Sequence, residues 1–149
     1  MSVPNENRIV REYLVTAGTT LYTLTGDGAR IYWPYLADDV SETHNVVAMN
    51  TMAGGGALAD GLIRDVDIEF WLYGVDGSGN HTAADSWTLY AALVDCLTDA
   101  SGQWVTHEAT TSGFIIACGE GSTGVLEMDP RKEWPGIQTI WNFQIRNKT

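Results

Sequence analysis

Apolar residues recur along this chain at two distinct periods. Over residues 5–17, Ile9, Val10, Tyr13, Leu14 and Ala17 make one stripe and Glu6, Arg8 and Glu12 the other, the spacing of an amphipathic helix. Gly18 stands where a helix stop belongs. Residues 19–28 hold Leu21, Tyr22 and Leu24 ahead of a Gly26-Asp27-Gly28 turn, and the pattern leaves open whether a short second helix forms there. Residues 30–35 read as a strand end or edge, because Pro34 lacks the donor that a central ladder requires. The clearest strand is 65–73, where Val66, Ile68, Phe70 and Leu72 alternate with Asp67, Glu69, Trp71 and Tyr73. One of its faces is core, and the other begins acidic and ends aromatic.

A turn-rich segment from Gly74 to Asn80 leads into a second strong helix. Thr82 is its N-cap, Asp85 follows in the capping-box arrangement, and Trp87, Tyr90, Ala91, Val94 and Leu97 form its packing face. The remainder reads as β structure at 103–108, 114–118, 124–128 and 137–146, with glycines at 113, 119, 121 and 124 marking turns. In the last run Ile137, Thr139, Trp141, Phe143 and Ile145 share a face. Between the first two strands the texture changes. Residues 36–62 contain Asp38, Asp39, Ser41 and Glu42, the apolar run Val46 to Met49, and then Gly54-Gly55-Gly56. Three consecutive glycines lose too much backbone entropy to favour a regular element, so this stretch is expected to be a long mobile loop, with or without one short strand beside it. Together these elements predict one α+β domain over 1–149, with a mixed or antiparallel sheet of about 4–6 strands and two main helices on one face.

Composition narrows what such a domain does. With 8 Lys+Arg against 19 Asp+Glu the net charge is −11. The chain therefore lacks the basic footprint that gripping a phosphate backbone needs. Its longest apolar runs fall far below the roughly 18 residues of a membrane span, and its start has no apolar signal stretch. Cys96 and Cys118 both lie in apolar runs, as buried reduced thiols do, which fits synthesis in a reducing cytoplasm.

Candidate chemistry is sparse. His44, His81 and His107 are scattered without metal-ligand spacing and read as solvated loop histidines. Asp76, Ser78 and Asn80 match the first half of a calcium loop, but its twelfth position is Trp87 where a bidentate Glu is needed, so a plain turn is expected. No phosphate-cradling or nucleophile-elbow motif occurs. Asp38 with Asp39, and Asp67 with Glu69, are paired carboxylates that serve either acid/base work or an acidic surface, the surface being favoured. The chain has 6 Trp, too many to be all core in so small a domain. Trp33, Trp71 and Trp134 lie off the main apolar stripe or beside a proline, and with Tyr73 they are expected to face a neighbour. No metal or cofactor is implied.

Four strings resemble the tail-completion, or tail-terminator, family of tailed bacteriophages. They are Gly28-Ala29-Arg30-Ile31-Tyr32 after the N-terminal helix, Val66 to Gly74 as the V-x-[IV]-x-[FV]-[WY] strand, the helix bearing Ala83, Ala84, Leu89, Leu93 and Leu97, and the closing β run from Ile137 to Ile145. The 36–62 stretch departs from the family in being longer and richer in glycine. The resemblance implies a non-catalytic virion protein, made in the host cytoplasm, that forms a homo-oligomeric ring, usually a hexamer, at the tail or neck. Its partners would be further copies of itself, the tail tube and the head connector, with DNA passing unbound and no membrane involved. In such a ring Gly54, Gly55 and Gly56 would order on docking, and Asp38, Asp39, Glu42, Asp67 and Glu69 would face the lumen. The alternatives are a tail-tube or head-completion subunit, a small metal-free enzyme, or a binding module for sugar or peptide.

Overall fold

A computed structural model describes residues 6–16, 18–33, 43–58, 63–107, 111–130 and 132–147. The elements are α1 (Glu6–Thr16), α2 (Thr20–Leu24), β1 (Ile31–Tyr32), β2 (Val46–Leu58), β3 (Ile63–Tyr73), α3 (Ala83–Thr98), β4 (Gln103–His107), β5 (Thr111–Met128) and β6 (Pro135–Asn147). The six strands form one sheet in the order β1-β2-β3-β6-β5-β4. Only the β1–β2 pair is parallel; the others are antiparallel. The α+β architecture expected from the sequence is therefore the one observed.

The main core lies between the helices and one face of the sheet. Ile9, Val10, Tyr13 and Leu14 of α1 and Leu89, Leu93, Cys96 and Leu97 of α3 pack on Val66, Ile68, Phe70 and Leu72 of β3 and on Ile137, Trp141, Phe143 and Ile145 of β6. These sheet residues are the alternate positions picked out by the period-two pattern, since both strands pair on each side and present one face to the helices. Thr19 caps α2, which settles the short-helix question in favour of a helix, and Thr82 caps α3 by accepting from the Asp85 N–H at 3.1 Å.

Three sequence expectations are corrected. First, α3 buries Ser86, Leu89, Ala92, Leu93, Cys96 and Leu97, leaving Trp87 and Ala91 exposed. Apolar residues occur all round this helix, so periodicity does not select a face, while the Ser86 hydroxyl can be buried because it accepts from Gly74 N–H at 3.0 Å and reaches the Pro135 carbonyl at 3.0 Å. Second, residues 46–58 of the expected loop are strand β2. The glycines fit because four steps on β2, Met52 to Gly56, oppose two on β3, Asp67 to Asp65, so the run occupies a bulge where extra residues are absorbed. Third, 114–118 and 124–128 belong to one strand. Register shifts against β6 at 115/117, 120/122 and 122/125 each take up one extra residue, so Gly121 and Gly124 sit in bulges rather than turns.

Candidate interaction surface

The helices leave the second face of the sheet uncovered by secondary structure among the described residues, and β3 and β6 write a polar ladder across it. Asp65, Asp67 and Glu69 alternate along β3 at roughly 6–7 Å intervals. Asn142, directly opposite Asp67, donates from its amide to Asp65 and to Asp67, the latter at 2.9 Å. Glu69 accepts from the Trp71 indole N–H at 2.8 Å and from the Gln138 amide. All the donors named here are neutral. They fix the carboxylates in place without cancelling their charge, which makes the ladder a rigid strip of negative potential. Among the described residues, Arg146 at the close of β6 and Lys132, whose Nζ lies 5.1 Å from the Trp134 ring centroid, stand at the ends of this face.

Beyond Glu69 the same face becomes aromatic. Trp71 stacks on Tyr73 with centroids 6.0 Å apart, Tyr73 meets the edge of Trp134 at 5.5 Å, and His81 stacks on Trp134 at 4.0 Å. The Tyr73 hydroxyl donates to the buried Asp129 carboxylate at 2.9 Å, and the Lys132 backbone N–H donates to its other oxygen at 2.7 Å. With Val46 and Ala48 this group is a second small core. It overturns the expectation that Tyr73 and Trp134 face a neighbour, because both are buried inside the subunit by partners 50 or more residues away in sequence. His81 is likewise half-buried and ring-stacked instead of a solvated loop residue, whereas His44 is exposed as expected.

The remaining expected residues separate. Trp33 is half-buried against the main core on the helical side, beside Arg8, Arg11, Glu12 and Ile31 in an open groove of about 360 Å³. Trp71 is half-buried and shares the ladder face with Asp67 and Glu69. Gly54, Gly55 and Gly56 lie in β2. Asp38, Asp39 and Glu42 lie outside the described residues. Asp76 accepts from Ser78 N–H at 2.8 Å and Asn80 N–H at 3.0 Å, the plain turn anticipated, and these bonds hold its carboxyl below the ordinary value. Among the described residues no group of three or more His, Cys, Asp or Glu is placed to hold a metal.

The residues that do present apolar surface are others. Met52, Trp87, Trp104, Val125, Leu126 and Met128 are the exposed large hydrophobics among those described, Trp104 at 64% and Met128 at 59%. The Val125-Leu126-Glu127-Met128 string was visible as a strand, but nothing in its pattern says that both of its faces meet solvent. No protein-family model matches this chain, and no curated protein matches it.

Proposed function

We propose that this protein is a structural virion subunit of a tailed phage, forming a homo-oligomeric ring at the tail or neck that ends the tail tube and joins it to the head connector. The observation that carries this reading is the carboxylate ladder of Asp65, Asp67 and Glu69 on the sheet face that the helices leave open. A channel that conducts DNA must not bind it, and fixed negative charge at roughly 6–7 Å intervals repels phosphates without needing any base contact. The order of helix, short strand, long hairpin, helix and closing β region supports the same reading, since it follows the order of strings that resemble the tail-terminator family. In the ring the ladder faces the lumen and the helices face out.

Native mass spectrometry over a concentration series, with negative-stain imaging of the assembled species, tests the proposal. A closed oligomer with a central opening is expected. Replacing Asp65, Asp67 and Glu69 together by Lys should give rings that retain linear duplex DNA in a salt-dependent manner, while the parent ring releases it. A chain that stays monomeric at every concentration overturns the proposal, as does a ring whose DNA retention ignores the triple substitution.

A further inference from the structure

The sheet ends in two stepped edges. Among the described residues β4 pairs only with 111–115 of β5, and β1 only with 47 and 48 of β2. That leaves the outer edges of β5 over 117–128 and of β2 over 49–58 without a partner strand among those residues. The two open stretches lie at opposite corners. Met128 pairs with Pro135 at the end of the sheet where Leu72 and Tyr73 lie, whereas Leu58 pairs with Ile63 at the other end.

From these edges we infer that β5 of one copy pairs antiparallel with β2 of the next, an inference that rests on the ring proposed above. Strand polarity supports it first. β5 runs with β3 and β2 runs against it, so two copies set side by side with their helices on the same face bring β5 and β2 together antiparallel. Steric fit follows from the steps, because β4 blocks only 111–115 of the β5 edge, which the incoming β2 does not use, and β1 of the incoming copy extends past Met128.

Side chains select the register. Four of the six exposed large hydrophobics among the described residues, Met52, Val125, Leu126 and Met128, stand on these two edges. Val125 is opposite Gln138 and Met52 is opposite Asp67, so both occupy the ladder face. Setting Met52 across from Val125 makes an apolar cross-strand pair and places Asn50 across from Glu127, an amide opposite a carboxylate, as Asn142 already stands opposite Asp67 within the subunit. Charge agrees: Val46–Leu58 has no charged residue in a chain of net charge −11, so the β5 edge with Glu120 and Glu127 meets no repulsion there. A long unpaired strand edge is a template for pairing with another chain even where bulges and the charges of Glu120 and Glu127 blunt it, and head-to-tail pairing around a closed ring covers both open edges.

Cysteine cross-linking tests the register. Oxidation of a Met52→Cys/Val125→Cys double variant should give a thiol-sensitive ladder of covalent oligomers ending at the ring size, and neither single variant should give one. Both positions are exposed at 38% and 48%, so folding should be unaffected, which circular dichroism of the reduced protein checks. As a second variant, Val125→Lys should abolish assembly at concentrations where the parent is fully assembled. Three results overturn the inference in distinguishable ways. Rings of the double variant that fail to cross-link refute the edge pairing and leave the ring standing. Dimers from Val125→Cys alone would show β5 pairing with itself about a two-fold axis. A parent chain that never assembles removes the ring, and the pairing with it.

Discussion

The Tyr13 hydroxyl donates to the Cys96 carbonyl across 2.7 Å, joining α1 to the last turn of α3 over 83 residues of sequence. Both ends are buried, and the bond supplies a partner to a carbonyl near the helix C-terminus, where the intrahelical ladder runs out. Tyr13→Phe leaves that carbonyl unsatisfied and should lower stability by about 1–2 kcal/mol, measured by urea unfolding. An unchanged midpoint would mean that the bond contributes nothing.

The same tyrosine sets an alkaline limit. Burial, helped by the charges of Cys96 and Asp99, pushes its phenol from 10.0 up to about 12. The folded state thus holds this proton more tightly than the unfolded chain does. Its contribution to stability is complete below about pH 10 and declines as pH rises toward 12. Unfolding followed between pH 9 and 12 should show that decline, and Tyr13→Phe should flatten it.

Neither thiol should be reactive in the native protein. Burial raises Cys96, and burial together with the charge of Cys96 pushes Cys118 from 9.0 up to about 12. A rise of that size reduces the thiolate fraction of Cys118 roughly a thousandfold near neutral pH. Titration with a thiol reagent at pH 8 should find little reaction in native protein and two reactive groups after unfolding. Rapid native labelling of Cys118 would contradict the packing.

Gly74 allows β3 to end against the start of α3. A Cβ there would overlap the Asp85 carbonyl, and because the obstacle is backbone it cannot swing aside. Gly74→Ala should destabilise by about 1–3 kcal/mol or more. Gly77→Ala, which meets nothing within 4 Å, should stay within about 0.5 kcal/mol of the parent. Equal effects at the two sites would refute the close approach.

Asn142 holds the carboxylate ladder together. Asn142→Asp replaces a donor shared by Asp65 and Asp67 with a fourth carboxylate directly opposite Asp67, and should cost about 1 kcal/mol at low salt, with part recovered at high salt as the repulsion is screened. A loss independent of salt would show that packing, not charge, sets the effect.

By itself the sequence determined the elements whose signals are local. Period-two alternation gave β3 and the buried face of β6, the 3.6-residue stripe gave α1, and Thr82 with Asp85 located the start of α3 to the residue. It also set the charge of −11 and placed Asp67 and Glu69 on the face away from the core. The tertiary structure alone decided whatever depended on a distant partner. Gly54 to Gly56 and Gly121 and Gly124 read as loop or turn because glycine weakens an isolated strand, yet the long ladders to β3 and β6 hold them in bulges. Trp134 and Tyr73 looked like surface aromatics until Asp129, His81 and Val46 closed around them. Which face α3 buries, and which strand edges stay open, follow from strand order and stagger. Those are properties of the assembled sheet, and no stretch of chain carries them alone.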